Sequence, residues 1–216
     1  MDSHGCVHPW TVNVLNQEWN YDLAKLALKF VGLHVPGEES AKWWLTQRRL
    51  LQHAVRCSHT VLYGMVTDDG IERALYSLGY LYKSQSKLDE AEKMYRQAMQ
   101  GFEKALGRDH TATLGMVNNL GNLYADQGKL YEAEKMYQRA LQGKEKACGP
   151  DHISTLRTVN NLGILYNNQG KLDEAEKMYQ RALQGYEKAL GLDHILALTT
   201  VNNLGNLYKS RGKLRG

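Results

Sequence analysis

The 216 residues include only three cysteines and three prolines. Cys6, Cys57 and Cys148 are odd in number, far apart and outside any metal-ligand spacing. This argues against a disulfide framework and for a reducing compartment. No apolar run approaches the roughly 18 residues of a membrane span, and the opening Met-Asp-Ser-His has no basic stretch followed by an apolar one. A soluble, cytoplasmic chain is expected, with no membrane partner. A Gly-x-x-x-x-Gly-Lys-[Ser/Thr] motif is absent, so the chain does not itself carry that phosphate loop. Charge of one sign is lacking too. The 27 basic and 23 acidic residues leave a formal charge of +4, too small and interspersed to imply nucleic-acid binding.

What is present is repetition. Asn118-Asn119-Leu120-Gly121-Asn122-Leu123-Tyr124 has an Asn-Asn-Leu-Gly core that returns at Asn160 and Asn202 with a spacing of 42 residues. The block 109–150 matches the block 151–192 at 31 of 42 positions. A period of this length announces a solenoid of helical units. The register divides the chain into a segment 1–66 and an array 67–216, with units at about 67–108, 109–150 and 151–192 and a partial unit at 193–216.

Each unit reads as two helices. First helices are expected at about 71–84, 111–126, 153–168 and 195–210, and second helices at about 88–106, 130–148 and 172–190. The turns between them hold Gly128, Gly170 and Gly212, with Ser86 as the less suited counterpart, since a helix end often requires positive φ. Val117, Leu120, Gly121 and Tyr124 form one apolar stripe. A glycine inside a helix costs about 1 kcal/mol relative to alanine, so Gly121 implies that the neighbouring helix crosses too closely for a side chain. Leu130, Ala133, Tyr137, Ala140 and Leu141 supply the facing stripe. Cys148 takes the place of Leu106 and Leu190 and reads as a small core residue.

Leu120, Gly121, Tyr124, Ala133, Tyr137 and Ala140 have the spacing of the tetratricopeptide repeat signature, repeated from Leu78 and from Leu162. The longer period, with Asn-Asn-Leu-Gly, Gln-Gly-Lys-Leu and Gly-x-Asp-His, resembles the 42-residue repeats of kinesin light chains. Two departures from the shorter consensus are Val117 or Val159 in place of an aromatic, and a missing late proline. The resemblance implies an all-α, right-handed helix-turn-helix solenoid.

Ahead of the repeats, Leu23 to Val31 and about 38 to Cys57 carry helical apolar patterns, the second with Trp43-Trp44, and no sustained heptads appear. The run Gly5-Cys6-Val7-His8-Pro9-Trp10-Thr11, followed by tryptophan-bearing helices, is similar to the segment joining nucleotide-binding module and repeats in NLR-like, STAND-class receptors of filamentous fungi.

Candidate chemistry is sparse. His4, Cys6 and His8 alternate but lack a fourth ligand of zinc-like spacing, so neither metal nor cofactor is expected. Asp109-His110, Asp151-His152 and Asp193-His194 fall at helix starts, where capping by the aspartate explains them better than catalysis. No enzyme is expected.

The resemblance implies a concave surface lined by first helices, with Asn118 and Asn119, Asn160 and Asn161, Asn202 and Asn203 as a ladder that clamps a peptide backbone. An amide both donates and accepts, as an extended backbone requires. The alternative is that one asparagine of each pair ties adjacent units together. Four of the eleven differences between the two nearly identical blocks share a face with this ladder: Gly115/Arg157, Asn122/Ile164, Ala125/Asn167 and Asp126/Asn168. Arg73, Tyr80, Lys83 and Ser84, or Thr199, Asn206, Lys209 and Ser210, stand there in the other units. This mixture favours a peptide of some acidic character. The expected function is recognition of a protein or peptide, as the arm of an NLR-like receptor or as a kinesin-light-chain-like cargo adaptor. A structural self-association module is a third reading. In the fourth unit the stripe of Leu204 and Tyr208 has no second helix, so fraying after about residue 195 or pairing through this end is expected.

Overall fold

Short turns between helices of matched length let each unit fold back on itself. In the computed structural model, which describes residues 70–213 and Lys29, seven helices follow one another, and the described residues contain no strand. They are α1 (Glu72–Ser84), α2 (Leu88–Leu106), α3 (Thr111–Asp126), α4 (Leu130–Cys148), α5 (Ile153–Asn168), α6 (Leu172–Leu190) and α7 (Ile195–Lys213). Apart from helical Lys29, the expectations for the first 66 residues, including His4, Cys6, His8 and Trp43-Trp44, lie outside the described residues. The chain divides into two compact units, residues 1–105 and 106–216.

In the first, Leu78 and Leu81 of α1 and Ala91, Met94 and Ala98 of α2 are buried. Tyr95 stacks on Tyr76 with ring centroids 5.7 Å apart and lies directly against Gly79.

In the second unit α3 packs on α4, α4 on α5, α5 on α6 and α6 on α7. The glycine argument holds here in atomic terms. A methyl group on Gly121 would stand 2.8 Å from the Tyr137 ring, and one on Gly163 would stand 2.7 Å from the Tyr179 ring. Val117, Leu120, Leu123, Val159, Leu162 and Leu165 fill the interface on either side. The second helices use the same device in the opposite direction, with Leu114 seated on Gly143 and Leu156 on Gly185. The inter-helix turns take Gly128 at φ +74° and Gly170 at φ +76°, while Ser86 adopts φ +59° without glycine's freedom.

Polar clamps cross from unit to unit. Glu134 on α4 accepts from Gln169 at 3.0 Å and from Lys171 at 3.1 Å. Burial alone would raise the Glu134 carboxyl, but hydrogen bonds from Gln169, Lys171 and Tyr166 and the Lys171 charge hold it below the usual range. One period later Glu176 accepts from the Tyr208 hydroxyl at 2.7 Å and from Arg211 at 2.8 Å, and Arg211 also meets Asp173. Exposed pairs of this kind contribute at most about 1 kcal/mol each, against roughly 1.5–3 kcal/mol for each buried leucine. The apolar stripes therefore decide the stack, and the clamps set its register.

Four expectations need correction. Histidine, not aspartate, caps the first helices: His110, His152 and His194 accept from the backbone N–H two residues on, each at 3.2 Å through Nδ1. His110 and His152 adopt the extended backbone of a cap residue, with φ −67° in both, which places the aspartate one position too early. Cys148 is half-buried, because it ends α4 where the helix leaves the interface. The helix α7 runs through Gly212 to Lys213 instead of turning near 210. Finally, Leu204 is covered, packing with Leu207 against Ala175 and Tyr179 of α6. The open side of α7 is the adjacent face.

These contacts make α5 and α7 an internal control. Gly163→Ala drives a methyl into the Tyr179 ring and should cost about 1–3 kcal/mol by overpacking. Gly205, its counterpart on α7, has nothing within 4 Å of an added methyl, so Gly205→Ala should gain up to about 1 kcal/mol of helix propensity. Urea midpoints followed by circular dichroism should move in opposite directions.

Candidate functional site

The outward side of the second unit is built from α3, α5 and α7, in which the Asn-Asn pairs fall at the same helical positions. Asn118 is buried, and its Oδ1 accepts from the Thr158 hydroxyl at 3.0 Å and from Asn161 Nδ2 at 3.5 Å. Asn161 Nδ2 also donates to Asn122 Oδ1 at 3.1 Å. The same oxygen of Asn122 accepts from the Tyr137 hydroxyl at 2.7 Å. Burial, with a smaller contribution from the Asp126 charge, pushes that phenol well above its ordinary range. One period on, Asn160 Oδ1 accepts from Thr200 at 3.3 Å and from Asn203 Nδ2 at 3.4 Å.

The ladder is thus a set of bonds between successive first helices, in which the second asparagine of one unit donates to the first asparagine of the unit before. The amide nitrogens of Asn161 and Asn203 and the oxygens of Asn118 and Asn160 are committed to the stack. Asn119 is half-buried and already engaged within the molecule.

Arg157, Asn168, Asn202, Asn206 and Asp126 are exposed, and Ile164 presents an apolar side chain that is 39% exposed. Gly115, Asn122 and Asn167 are half-buried beside them. Arg73, Tyr80 and Lys83 lie on α1 in the other compact unit, where Arg73 is exposed and the other two are half-buried.

Lys144 completes the polar layer and was not singled out by the sequence reading. It is 6% exposed, and its Nζ donates to Thr158 Oγ1 at 2.9 Å and to the Ser154 carbonyl at 3.1 Å. Tyr186 occupies the same position one period later, buried in an apolar cluster with Leu156, Val159 and Ala197. Two differences between the blocks signal the arrangement: Lys144 against Tyr186, and Thr158 against Met116. A buried ammonium needs acceptors, and Thr158 supplies one. Burial, helped by the neighbouring Arg157 charge, lowers Lys144 to about 8.

Among the described residues no three His, Cys, Asp or Glu side chains gather as a metal site, and no helix is long and apolar enough to cross a membrane. The surface offers hydrogen-bonding, cationic and apolar groups beside an asparagine ladder whose Asn118 and Asn160 oxygens are bonded within the stack. Such a surface is equipped for recognition.

Comparison with known proteins agrees with this geometry. Two sequence-family profiles, both described as tetratricopeptide repeat, match residues 113–188 with 158–215 and residues 73–112. No curated protein sequence matches the chain. Among solved structures, nearly identical kinesin-light-chain TPR-like repeats of Podospora anserina superpose with a TM-score of 0.69 at 15% identity, covering 91% of this chain and 90% of that one. BtubC (BKLC) of P. vanneervenii gives a TM-score of 0.62 at 18% identity over 97% and 86% of the two chains. MamA gives 0.54 at 20% identity over 86% and 89%. At these identities the likeness concerns the fold.

Lys144 gives the stack a pH dependence whose sign follows from proton counting. The unfolded chain holds the proton up to about 10.5, whereas the folded chain releases it near 8. Between those values the unfolded state binds more protons, so stability should rise with pH, by up to about 3 kcal/mol across the window. Below about 8 both states are protonated and this contribution is flat. Urea midpoints between pH 7.5 and about 9.5, short of tyrosine ionisation, should climb for the native chain and stay level for Lys144→Met.

Proposed function

Because this chain belongs to the tetratricopeptide-repeat family, we propose that it is a non-catalytic recognition module that takes a peptide or protein partner along the first-helix face. Tetratricopeptide domains in general bind protein partners, and the fold is in general a non-catalytic scaffold. One observation carries the proposal. Two units identical at 31 of 42 positions differ, on their outward face, at Gly115/Arg157, Asn122/Ile164 and Asp126/Asn168, beside an asparagine ladder already satisfied by its neighbours. The helices are held alike while the presented chemistry changes from unit to unit, which is how a surface acquires side-chain specificity.

In this reading Arg157 receives a carboxylate, Ile164 an apolar side chain, and Asn168, Asn202 and Asn206 a backbone or amide. Asn118 and Asn160 act as positioning residues, since their oxygens tie one first helix to the next. Asn161 and Asn203 contribute through their amide oxygens, since their nitrogens donate within the ladder. In α1 the corresponding surface is Arg73, Tyr80 and Lys83. The ligand is therefore a short extended segment with an acidic residue near an apolar one. The structural likeness to kinesin-light-chain TPR-like repeats supports a cargo-adaptor-like context. The setting in an NLR-like receptor rests on residues 5–11 and the tryptophan-bearing segment that follows them.

Peptides selected by display on the intact chain supply the test. Those enriched should carry Asp or Glu, and Arg157→Glu together with Ile164→Asp should weaken them at least tenfold by calorimetry. A control at the exposed Tyr131, Tyr131→Asp, should not. Equal binding by all three proteins, or no enrichment over a bare surface, overturns the assignment.

A further inference from the structure

The oxygen of Asn122 closes two donors. It accepts from the Tyr137 hydroxyl at 2.7 Å and from Asn161 Nδ2 on the next first helix at 3.1 Å. One period later both donors return and the acceptor does not. The Tyr179 ring lies across Gly163 as the Tyr137 ring lies across Gly121, with nearest ring carbons 2.7 and 2.8 Å from an added methyl, so its hydroxyl is carried toward residue 164 on α5. Asn203 repeats the placement of Asn161, reaching Asn160 at 3.4 Å where Asn161 reaches Asn118 at 3.5 Å. An amide nitrogen carries two hydrogens. Asn161 Nδ2 meets two acceptors, and Asn203 Nδ2 meets only Asn160. Residue 164 is isoleucine, which accepts nothing.

Tyr179 is only 2% exposed, and among the described residues its hydroxyl has no hydrogen-bond partner. Burial alone pushes the phenol up to about 12, so it stays a protonated donor at neutral pH. The charge beside it has changed as well. Asp126, which bears on the Tyr137 hydroxyl, is replaced by the neutral Asn168, so no carboxylate at that position opposes an incoming oxygen. A nearly buried hydroxyl without a partner carries a desolvation cost that a suitable acceptor would remove.

We propose that Tyr179 Oη, with the second hydrogen of Asn203 Nδ2, forms a subsite beside Ile164 that takes an amide carbonyl oxygen of the bound peptide, in the role that Asn122 Oδ1 plays one unit earlier. The assignment rests on the recognition reading above and makes Tyr179 a specificity residue of that surface. An amide oxygen is the acceptor with which the molecule itself closes the same pair of donors. The peptide can supply it from its backbone or from an Asn or Gln side chain, and Ile164, 39% exposed, gives the subsite an apolar flank.

The probe is the peptide most enriched by display on the 216-residue chain, titrated by calorimetry. Tyr179→Phe removes the donor and keeps the ring across Gly163, so affinity should fall about fivefold while the urea midpoint stays level. Ile164→Asn restores the acceptor found in α3. It should raise the midpoint, and the rise should vanish in the double variant with Tyr179→Phe. Replacing the peptide's Asn or Gln by Leu, and exchanging its backbone amides for esters one at a time, separates the two sources of the oxygen. The change that touches the bonded oxygen should weaken binding to the native chain and cost Tyr179→Phe nothing. Equal affinity of the native and Tyr179→Phe chains for an enriched peptide overturns the subsite and leaves the recognition face standing. So does a lower midpoint for Tyr179→Phe, or an effect of Ile164→Asn that is independent of Tyr179. Failure of any peptide to enrich overturns the recognition face and the subsite with it.

Discussion

The structure depends on one close crossing, repeated in each complete unit, where a tyrosine of the second helix lies across a glycine of the first. At Gly121 and Gly163 the ring edge stands within 2.8 Å of where a side chain would begin. The two helix axes can therefore approach far enough for Val117, Leu120, Val159 and Leu162 to be excluded from water. Leu114 on Gly143 and Leu156 on Gly185 repeat the contact from the other side, so each hairpin is pinned at two points. A glycine in mid-helix weakens the helix by about 1 kcal/mol, and the apolar surface it lets meet is worth several times that. Every other feature, from turns to clamps to the asparagine ladder, presupposes this spacing.

With the hairpins set, successive units are joined in two ways that differ along the array. Between α6 and α7 the contact includes the buried Tyr186 in an apolar cluster. Between α4 and α5 the corresponding place holds Lys144, which donates to Thr158 and to the Ser154 carbonyl, and the Thr158 hydroxyl in turn donates a hydrogen bond to Asn118. Exchanging an aromatic for an ammonium forfeits apolar burial worth roughly 2–3 kcal/mol and obliges the surrounding groups to act as acceptors. Two joints of nearly equal sequence are thus unequal in strength and in their response to protons.

Most of the fold was legible in the sequence because the information was local and repeated. Six of the seven helix boundaries follow from the register to within a residue at each end, and the mid-helix Gly121 announced its neighbour. The cap residue was misjudged because aspartate is the commoner cap, and only the backbone angles of His110 and His152 show which residue stands at the helix edge. For the candidate surface, exposure of Arg157 and Asn168 followed from helical phase. The occupancy of the ladder did not. Whether Asn161 faces a ligand or Asn122 depends on the rotation of α5 against α3, a tertiary quantity with no trace in the pattern of one helix. Lys144 could have been found by asking which differences between the units are coupled, since a lysine facing methionine would be unsatisfied and a lysine facing threonine is not.

That coupling separates two kinds of difference between the near-identical units. Lys144 and Thr158 face each other, and the dependence runs one way: the buried lysine needs the threonine as acceptor, whereas Thr200, at the same position beside Tyr186, is satisfied by Asn160 and the Leu196 carbonyl. That dependence ties Lys144 to the joint between units. Arg157, Ile164 and Asn168 differ from Gly115, Asn122 and Asp126 with no such dependence, apart from Asn122, whose oxygen serves Tyr137 and Asn161. Where Ile164 replaces that asparagine, its side chain cannot accept a hydrogen bond from Tyr179. The outward face therefore varies at little cost to the stack, and the one position with a packing role is the one where α5, with Ile164, differs from α3, with Asn122, in how the second helix of its own unit is received.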